Sequence, residues 1–315
     1  MKLRQAMKSR AFSTLTLSLA ALSVTLISKV HAQDKDAKDD GKLRIICFGA
    51  HPDDAEYKSG GTAAKWAALG HHVKMVSVTN GDIGHWKEAG GALAKRRTYE
   101  AGETSKILGT VSKVMDIHDG ELLPTLENRQ RIVRLIREWN ADIVIAHRPW
   151  DYHPDHRYVG VLLQDAAFMV TVPFFCPDVP HLKKNPLFLY SSDRFQKPYP
   201  FEPTIAVDID DVFDQKVRAV EQLRSQNHEG GVGGSEKRIA SIPSPDDKKA
   251  RFEYMKKSWS RRNGAEADKY RDLLIKYYGK EHGEKVKYAE TFEVCEYGRR
   301  PTPSDIKKLF PFYGK

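Results

Sequence analysis

Cysteine is scarce in this chain: Cys47, Cys176 and Cys295 are the only three among 315 residues. They are too few and too far apart for a disulfide framework or a cysteine-built metal site. A single bridge stays open, whereas Cys47, inside a strand-like run, reads as a small buried hydrophobe. Long apolar runs are nearly absent too. The longest, Ala11 to Ile27, has about 17 residues diluted with Ser and Thr, short of the roughly 20 that cross hydrocarbon. With Lys2, Arg4, Lys8 and Arg10 before it and Val30-His31-Ala32 after it, it reads as a signal peptide over residues 1–32. Export, to a periplasm or to the outside, is the expectation, with no stable membrane insertion after cleavage. No cysteine follows the cut to carry a lipid. Charge of one sign is also modest, because removing the five basic residues of 1–32 lowers the formal net charge from +9 to +4. The remaining Lys and Arg are interleaved with acids, which argues against nucleic acid as a partner. No internal repeat is present, and oligomeric state is not legible.

What remains is enough for one domain with a full core. Residues 33–41 read as a polar linker, and order is expected over 42–315. Leu43 to Gly49 reads as a strand, Tyr57 to Leu69 as a helix, Val73 to Thr79 as a strand and Leu93 to Leu108 as a helix. Val114 to Ile117, Glu127 to Trp139, Asp142 to Ala146 and Tyr158 to Val170 continue the alternation of strand and helix. That pattern predicts an α/β fold: a Rossmann-like, doubly wound, mostly parallel sheet with helices on both faces. Beyond Thr171, the seven prolines from Pro173 to Pro203 and many aromatics suggest an irregular substrate rim around a short strand, Leu187 to Tyr190. Residues 228–250 read as a mobile glycine-rich loop, either a lid or an idle insertion. Arg251 to Tyr278 reads as helical and Tyr288 to Glu296 as a returning strand.

Two acidic histidine clusters, Ala50-His51-Pro52-Asp53-Asp54 and His153-Pro154-Asp155-His156, each follow a predicted buried strand. In open α/β sheets ligands bind beyond the carboxyl ends of strands, at the point where topology switches direction. Loops distant in sequence can therefore close on one ion there. Imidazole and carboxylate suit Zn²⁺ or another divalent first-row metal, and catalytic sites take three protein ligands and leave a place open. Pro52 suits a helix start, so His51 and Asp54 can share one side of its first turn, with Asp53 beside them but off the metal. Taken alone, this cluster reads equally well as a pair of helix caps; the second cluster shifts the balance to a metal. His147, at the end of the fourth strand, rivals them for a ligand place, and a supporting role is expected of it.

With Gly60-Gly61-Thr62, Thr79-Asn80-Gly81-Asp82, Arg97-Thr98-Tyr99-Glu100, Asp119-Gly120, Lys216, Ser225-Gln226 and Ala289-Glu290-Thr291-Phe292, these clusters resemble the PIG-L/LmbE-like family of zinc-dependent N-acetylglucosaminyl deacetylases. The likeness spans nearly all of 42–315. It departs at Leu223, where members often have a histidine, so late substrate contacts are not carried over. The resemblance implies His51, Asp54 and His156 as metal ligands and Asp53 as general base toward the attacking water. His153 is assigned to the oxyanion, protonated and oriented by Asp155, which reads as nearly well as a helix cap. Either Asp53 or His153 protonates the leaving amine.

Arg97 is a candidate contact for a hydroxyl or anionic group of the substrate, with Asp82 and Asp119 as acceptors for sugar hydroxyls. Trp66 and Trp139 read as core, while Trp86 and Trp150 lie in loops near the mouth, where each either covers a sugar ring or packs its loop. The function implied is an exported hydrolase that removes the N-acetyl group from an N-acetylglucosamine-containing glycan or glycoconjugate. A secreted, non-catalytic carbohydrate-binding protein with a structural metal is the alternative. A nucleotide-binding protein is disfavoured, because His-Pro-Asp-Asp stands where phosphate would need glycines.

Overall fold

The computed structural model describes residues 40–313. The expected signal peptide, and nearly all of the linker, lie outside the described residues. Strand β1, Arg44–Gly49, carries apolar side chains on both faces, and its alternation divides them between two cores. Ile45 and Cys47 join a cluster with Ala63, Ala64 and Trp66 of helix α1 (Asp54–Ala68) and Leu108 of α2 (Gly91–Leu108). Ile46 and Phe48 face the other way, against Ile132 and Ile136 of α3 (Leu126–Glu138) and Val159 and Leu163 of α4 (Pro154–Met169). A strand buried on both faces is what a parallel sheet between two helical layers requires.

With β2 (His72–Ser77), β3 (Val111–Val114), β4 (Ile143–Ala146), β5 (Leu187–Ser191), β6 (Ile205–Asp208) and β7 (Ala289–Val294), the seven-stranded order is β3-β2-β1-β4-β5-β7-β6. Pairing is parallel from β3 to β5, and β7 is antiparallel to both its neighbours. The order reverses between β1 and β4, which lie side by side, so the two histidine clusters leave adjacent strands at the switch point.

Several boundaries differ from the expectations. The third strand is Val111–Val114, three residues earlier than expected. It is an edge strand with Val111 exposed, and the apolar Met115 and Ile117 that suggested it pack on the core from the following loop. Helix α4 starts at Pro154 rather than near Tyr158, which puts His156 on its first turn. Strand β6 went unread, being four residues long and close to a run of prolines. The segment 251–278 is two helices, α6 (Lys248–Lys269) and α7 (Arg271–Tyr278), broken at Tyr270. The stretch 228–250 contains a short helix, Glu236–Ala240, capped by Ser235, and the Gly231 carbonyl accepts the Trp86 N–H. All three cysteines are buried and free. Among the described residues no helix is long and apolar enough to cross a membrane.

A buried ion pair explains the late motifs. Glu290 on β7 accepts the N–H groups of Gly61 and Thr62, within α1, and the Thr62 hydroxyl. Lys216, on α5 (Phe213–Val220), bonds Glu290 at 2.7 Å and the Tyr57 carbonyl at 3.0 Å. The pair ties the middle of α1 to the sheet, and α1 carries the first cluster.

Candidate metal centre

Chain direction changes sharply after β1. The N–H groups of Asp53 and Asp54 both turn back to the His51 carbonyl, at 2.8 and 3.2 Å, and α1 begins. Gly49 is required at this corner, since a Cβ there would stand 2.6 Å from the Asp54 Cβ and 2.8 Å from the Ala55 nitrogen. The His51 N–H donates to Asp54 Oδ2 at 2.8 Å, which draws the carboxylate back over the turn. At the second cluster His153 caps α4: its Nδ1 accepts the Asp155 N–H at 3.2 Å, and Pro154 opens the helix with no N–H to satisfy. Gly160, in the second turn of α4, lets the helix lie on the loop after β4, where a Cβ would meet the Pro149 nitrogen at 2.6 Å.

These turns bring three donors together. His51 Nδ1 is 3.2 Å from His156 Nε2, and each lies 3.4 Å from Asp54 Oδ2. An ion about 2.0–2.1 Å from each of three tetrahedral ligands requires donors about 3.3 Å apart, so the triangle fits zinc. The far ring nitrogens are both held by carboxylates. His51 Nε2 faces Asp119 Oδ1 at 3.0 Å and Asp155 Oδ2 at 3.3 Å, and His156 Nδ1 faces Asp151 Oδ1 at 3.0 Å. This arrangement fixes the tautomer that leaves each inner nitrogen free to bind metal.

The electrostatics call for a cation. Burial opposes charging His51, yet Asp119, Asp155 and Asp54 raise its pKa well above the usual histidine range. Burial likewise opposes ionising Asp54, but the His156 imidazole holds its pKa well below the carboxylate norm. Asp53, also buried, has its pKa raised by desolvation against the pull of Arg97, whose Nη2 lies 3.5 Å from Asp53 Oδ2. Glu56, a turn further on, is pushed up to about 8 by burial and stays protonated at neutral pH.

The structure brings His51, Asp53, Asp54, His153, Asp155, His156, Arg97 and Asp119 into one site, but four expectations need correction. The Asp155 carboxylate does not orient His153; it faces His51 and accepts the N–H groups of Gly120 and Leu122. His153 is not favoured in its protonated form, because burial and the charges of His51 and His156 lower its pKa. Its Nδ1 accepts a backbone N–H, so the neutral ring carries its proton on Nε2 and still offers a donor. Asp119 is bound to His51 rather than free for a sugar. Both Asp82 oxygens are occupied, one by His118 and one by the Asp119 N–H, so Asp82 shapes the loop.

Arg97 is buried beneath the site, donating to the Gly81 carbonyl and lying 3.8 Å from Asp119. His147 stacks on His156 at 4.2 Å, and its Nε2 accepts the Ala50 N–H at 3.2 Å. Burial and His156 lower its pKa, so it is a neutral ring that packs against His156. Trp66 is core, and Trp86 packs against Gly234. Asp151 was missed as a partner of His156. Its place five residues ahead carries no pattern until the cap at His153 folds the loop back.

The family profile described as PIG-L: GlcNAc-PI de-N-acetylase matches residues 46–167, which hold both clusters. The chain is 33% identical over 208 residues to the diacetylchitobiose deacetylase of Thermococcus kodakarensis, covering 64% of this chain and 76% of that one. Among solved structures, the N,N'-diacetylchitobiose deacetylase from Pyrococcus horikoshii superposes with a TM-score of 0.60 at 22% identity, over 95% of this chain and 99% of its own. GalB, a 4-carboxy-2-hydroxymuconate hydratase from Pseudomonas putida KT2440, gives 0.61 at 19% identity, over 83% of this chain and 98% of its own. The fold therefore hosts more than one reaction, and the residues of the site must decide between them.

Proposed function

Because the chain belongs to the PIG-L family of N-acetylglucosaminyl deacetylases, we propose that it is an exported, metal-dependent N-deacetylase acting on an N-acetylglucosamine-containing glycan or glycoconjugate. One juxtaposition supports this best: a two-histidine, one-carboxylate triangle with Asp53, whose pKa is raised, adjacent to it in the chain. A divalent ion held by His51, Asp54 and His156 supplies Lewis acidity toward the acetamide carbonyl and the attacking water.

The chain's own groups move the protons. Asp53 accepts a proton from water as the water oxygen adds to the acetamide carbon, and a carboxylate of raised pKa is suited to taking that proton and holding it until the amine leaves. His153, half-buried beside His51 with ring centroids 4.5 Å apart, donates from Nε2 to the oxyanion as a neutral ring. When the C–N bond breaks, the proton held by Asp53 passes to the amine, and acetate and the free amino sugar leave. Arg97, 3.5 Å from Asp53, holds that carboxylate in place through the cycle.

The test is release of acetate from N-acetylated chito-oligosaccharides by the purified, metal-replete protein. Release is expected, to be abolished by a chelator and restored by a divalent metal. Asp53→Asn should keep its metal while turnover falls about 10²–10⁴-fold. Absence of acetate from every N-acetylated amino sugar offered, with metal bound, would favour the non-catalytic carbohydrate binder. Full turnover in Asp53→Asn would remove that residue from the mechanism.

A further inference from the structure

The loop joining β4 to α4 presents aromatic rings to solvent right beside the donor triangle. Trp150 and Tyr152 are 38% and 73% exposed, and Tyr152 meets the rings of His153 and His156 edge-on, at 5.8 and 5.5 Å. Across from them runs the segment Asp193–Phe201. Its Phe195 ring lies 6.3 Å from Tyr152, and its Tyr199 ring, 43% exposed, meets Trp150 at 6.4 Å and 77°. The four rings form two pairs, one of them seated against His153 and His156.

Arg148 holds the two segments together. Its side chain is fully buried, yet its guanidinium is paired with both Asp193 oxygens, at 2.6 and 2.7 Å. It also donates to the carbonyls of Phe195 and Tyr199, at 3.1 and 3.3 Å, and lies over the Tyr199 ring. Breaking such a buried pair is costly, so the segment bearing Phe195 and Tyr199 is held firmly against the catalytic loop. Exposed aromatic rings fixed in this way, beside a polar centre, mark a surface that a ligand covers.

Resting on the deacetylase reading, we propose that these four rings are a saccharide shelf: a subsite for the pyranose units linked to the one whose acetamide reacts. A pyranose presents apolar C–H faces and polar hydroxyl edges. The rings of Trp150, Tyr152, Phe195 and Tyr199 match the faces, and Tyr152 and Tyr199 add hydroxyls for the edges. Continuity with His153 and His156 through Tyr152 puts such a unit next to the reacting sugar. The protein therefore selects oligosaccharides over a single N-acetylglucosamine.

Calorimetric binding to the Asp53→Asn protein, which leaves substrate intact, separates the shelf from the chemistry. N-acetylglucosamine and its β-linked di-, tri- and tetrasaccharides are the probes. Affinity should rise at least tenfold from one unit to three, and Trp150→Ala and Tyr199→Ala should each remove about tenfold of that gain, as loss of one aromatic contact implies. Phe174→Ala, an exposed aromatic elsewhere, should preserve the gain. Should an alanine variant misfold, the intrinsic fluorescence of the otherwise unaltered protein serves instead: trisaccharide should shift it, and Trp150→Phe should abolish most of the shift. Equal affinity at every length, or a gain that survives loss of both Trp150 and Tyr199, overturns the shelf. Tighter binding of longer saccharides without acetate release by the unaltered protein would keep the shelf and reject the deacetylase. Acetate release at the same kcat/KM from one unit and from three would do the reverse.

Discussion

Replacing Asp151 by Asn tests how the site fixes its ligands. The Asp151 carboxylate accepts from His156 Nδ1 at 3.0 Å and from the His153 N–H at 3.1 Å, so one side chain orients a candidate ligand and pins the start of α4. Burial works against its ionisation, yet the His156 bond lowers its pKa, so the contact is charge-assisted at neutral pH. Asparagine keeps the shape and an acceptor oxygen, but it removes the charge and can turn its amide toward the ring. Charge-assisted hydrogen bonds are about twice as strong as neutral ones, and loss of such outer partners costs roughly 10–100-fold in metal affinity, about 1.4–2.8 kcal/mol. Competition with a chromophoric chelator measures the zinc dissociation constant directly. Asp178→Asn, at an exposed pair with Arg134, is the control and should leave the constant unchanged. An Asp151→Asn protein that binds zinc within about threefold of the unaltered protein would refute the assignment of Asp151 as the group that orients His156.

Lys216→Met should destabilise the fold by about 3–5 kcal/mol in chemical denaturation, because it leaves the Glu290 carboxylate buried without its cation. Adding Glu290→Gln should recover part of that loss, and a loss below about 1 kcal/mol would deny the pair its anchoring role. Acid should destabilise the protein through His228, whose imidazole burial and the nearby charges of Arg251 and Arg224 push down to about 4. Between pH 6.5, where the unfolded ring titrates, and about 4, the unfolded chain binds the extra proton, so stability falls with pH by up to about 1.4 kcal/mol per unit. Denaturation at stepped pH should show a shallower slope for His228→Leu than for the unaltered protein; equal slopes would reject that origin.

The convergence of the two histidine clusters was legible because each cluster is short and follows a buried strand, and the parallel alternation itself predicts a switch point where such loops meet. The groups behind them were not. Asp119, from a loop, and Asp155, from the first turn of α4, converge on His51 only in the finished fold, whereas the resemblance offered one to a sugar and the sequence neighbourhood gave the other to His153. Asp151 reaches His156 only through the turn capped by His153. Lys216 and Glu290 stood out as motif residues without a role until the fold placed both against α1. Strand β3 was misplaced for a related reason: an edge strand has few partners, and the apolar residues after it bury themselves without joining the sheet.

His51 offers cation-binding geometry on both sides, Asp54 and His156 at Nδ1 and Asp119, His153 and Asp155 at Nε2. Anomalous diffraction at the zinc edge from zinc-soaked crystals distinguishes them. A single peak should lie about 2.0–2.1 Å from His51 Nδ1, His156 Nε2 and Asp54 Oδ2. A peak on the Nε2 side, between Asp119 and Asp155, or no peak near His51 at all, would contradict the centre described above.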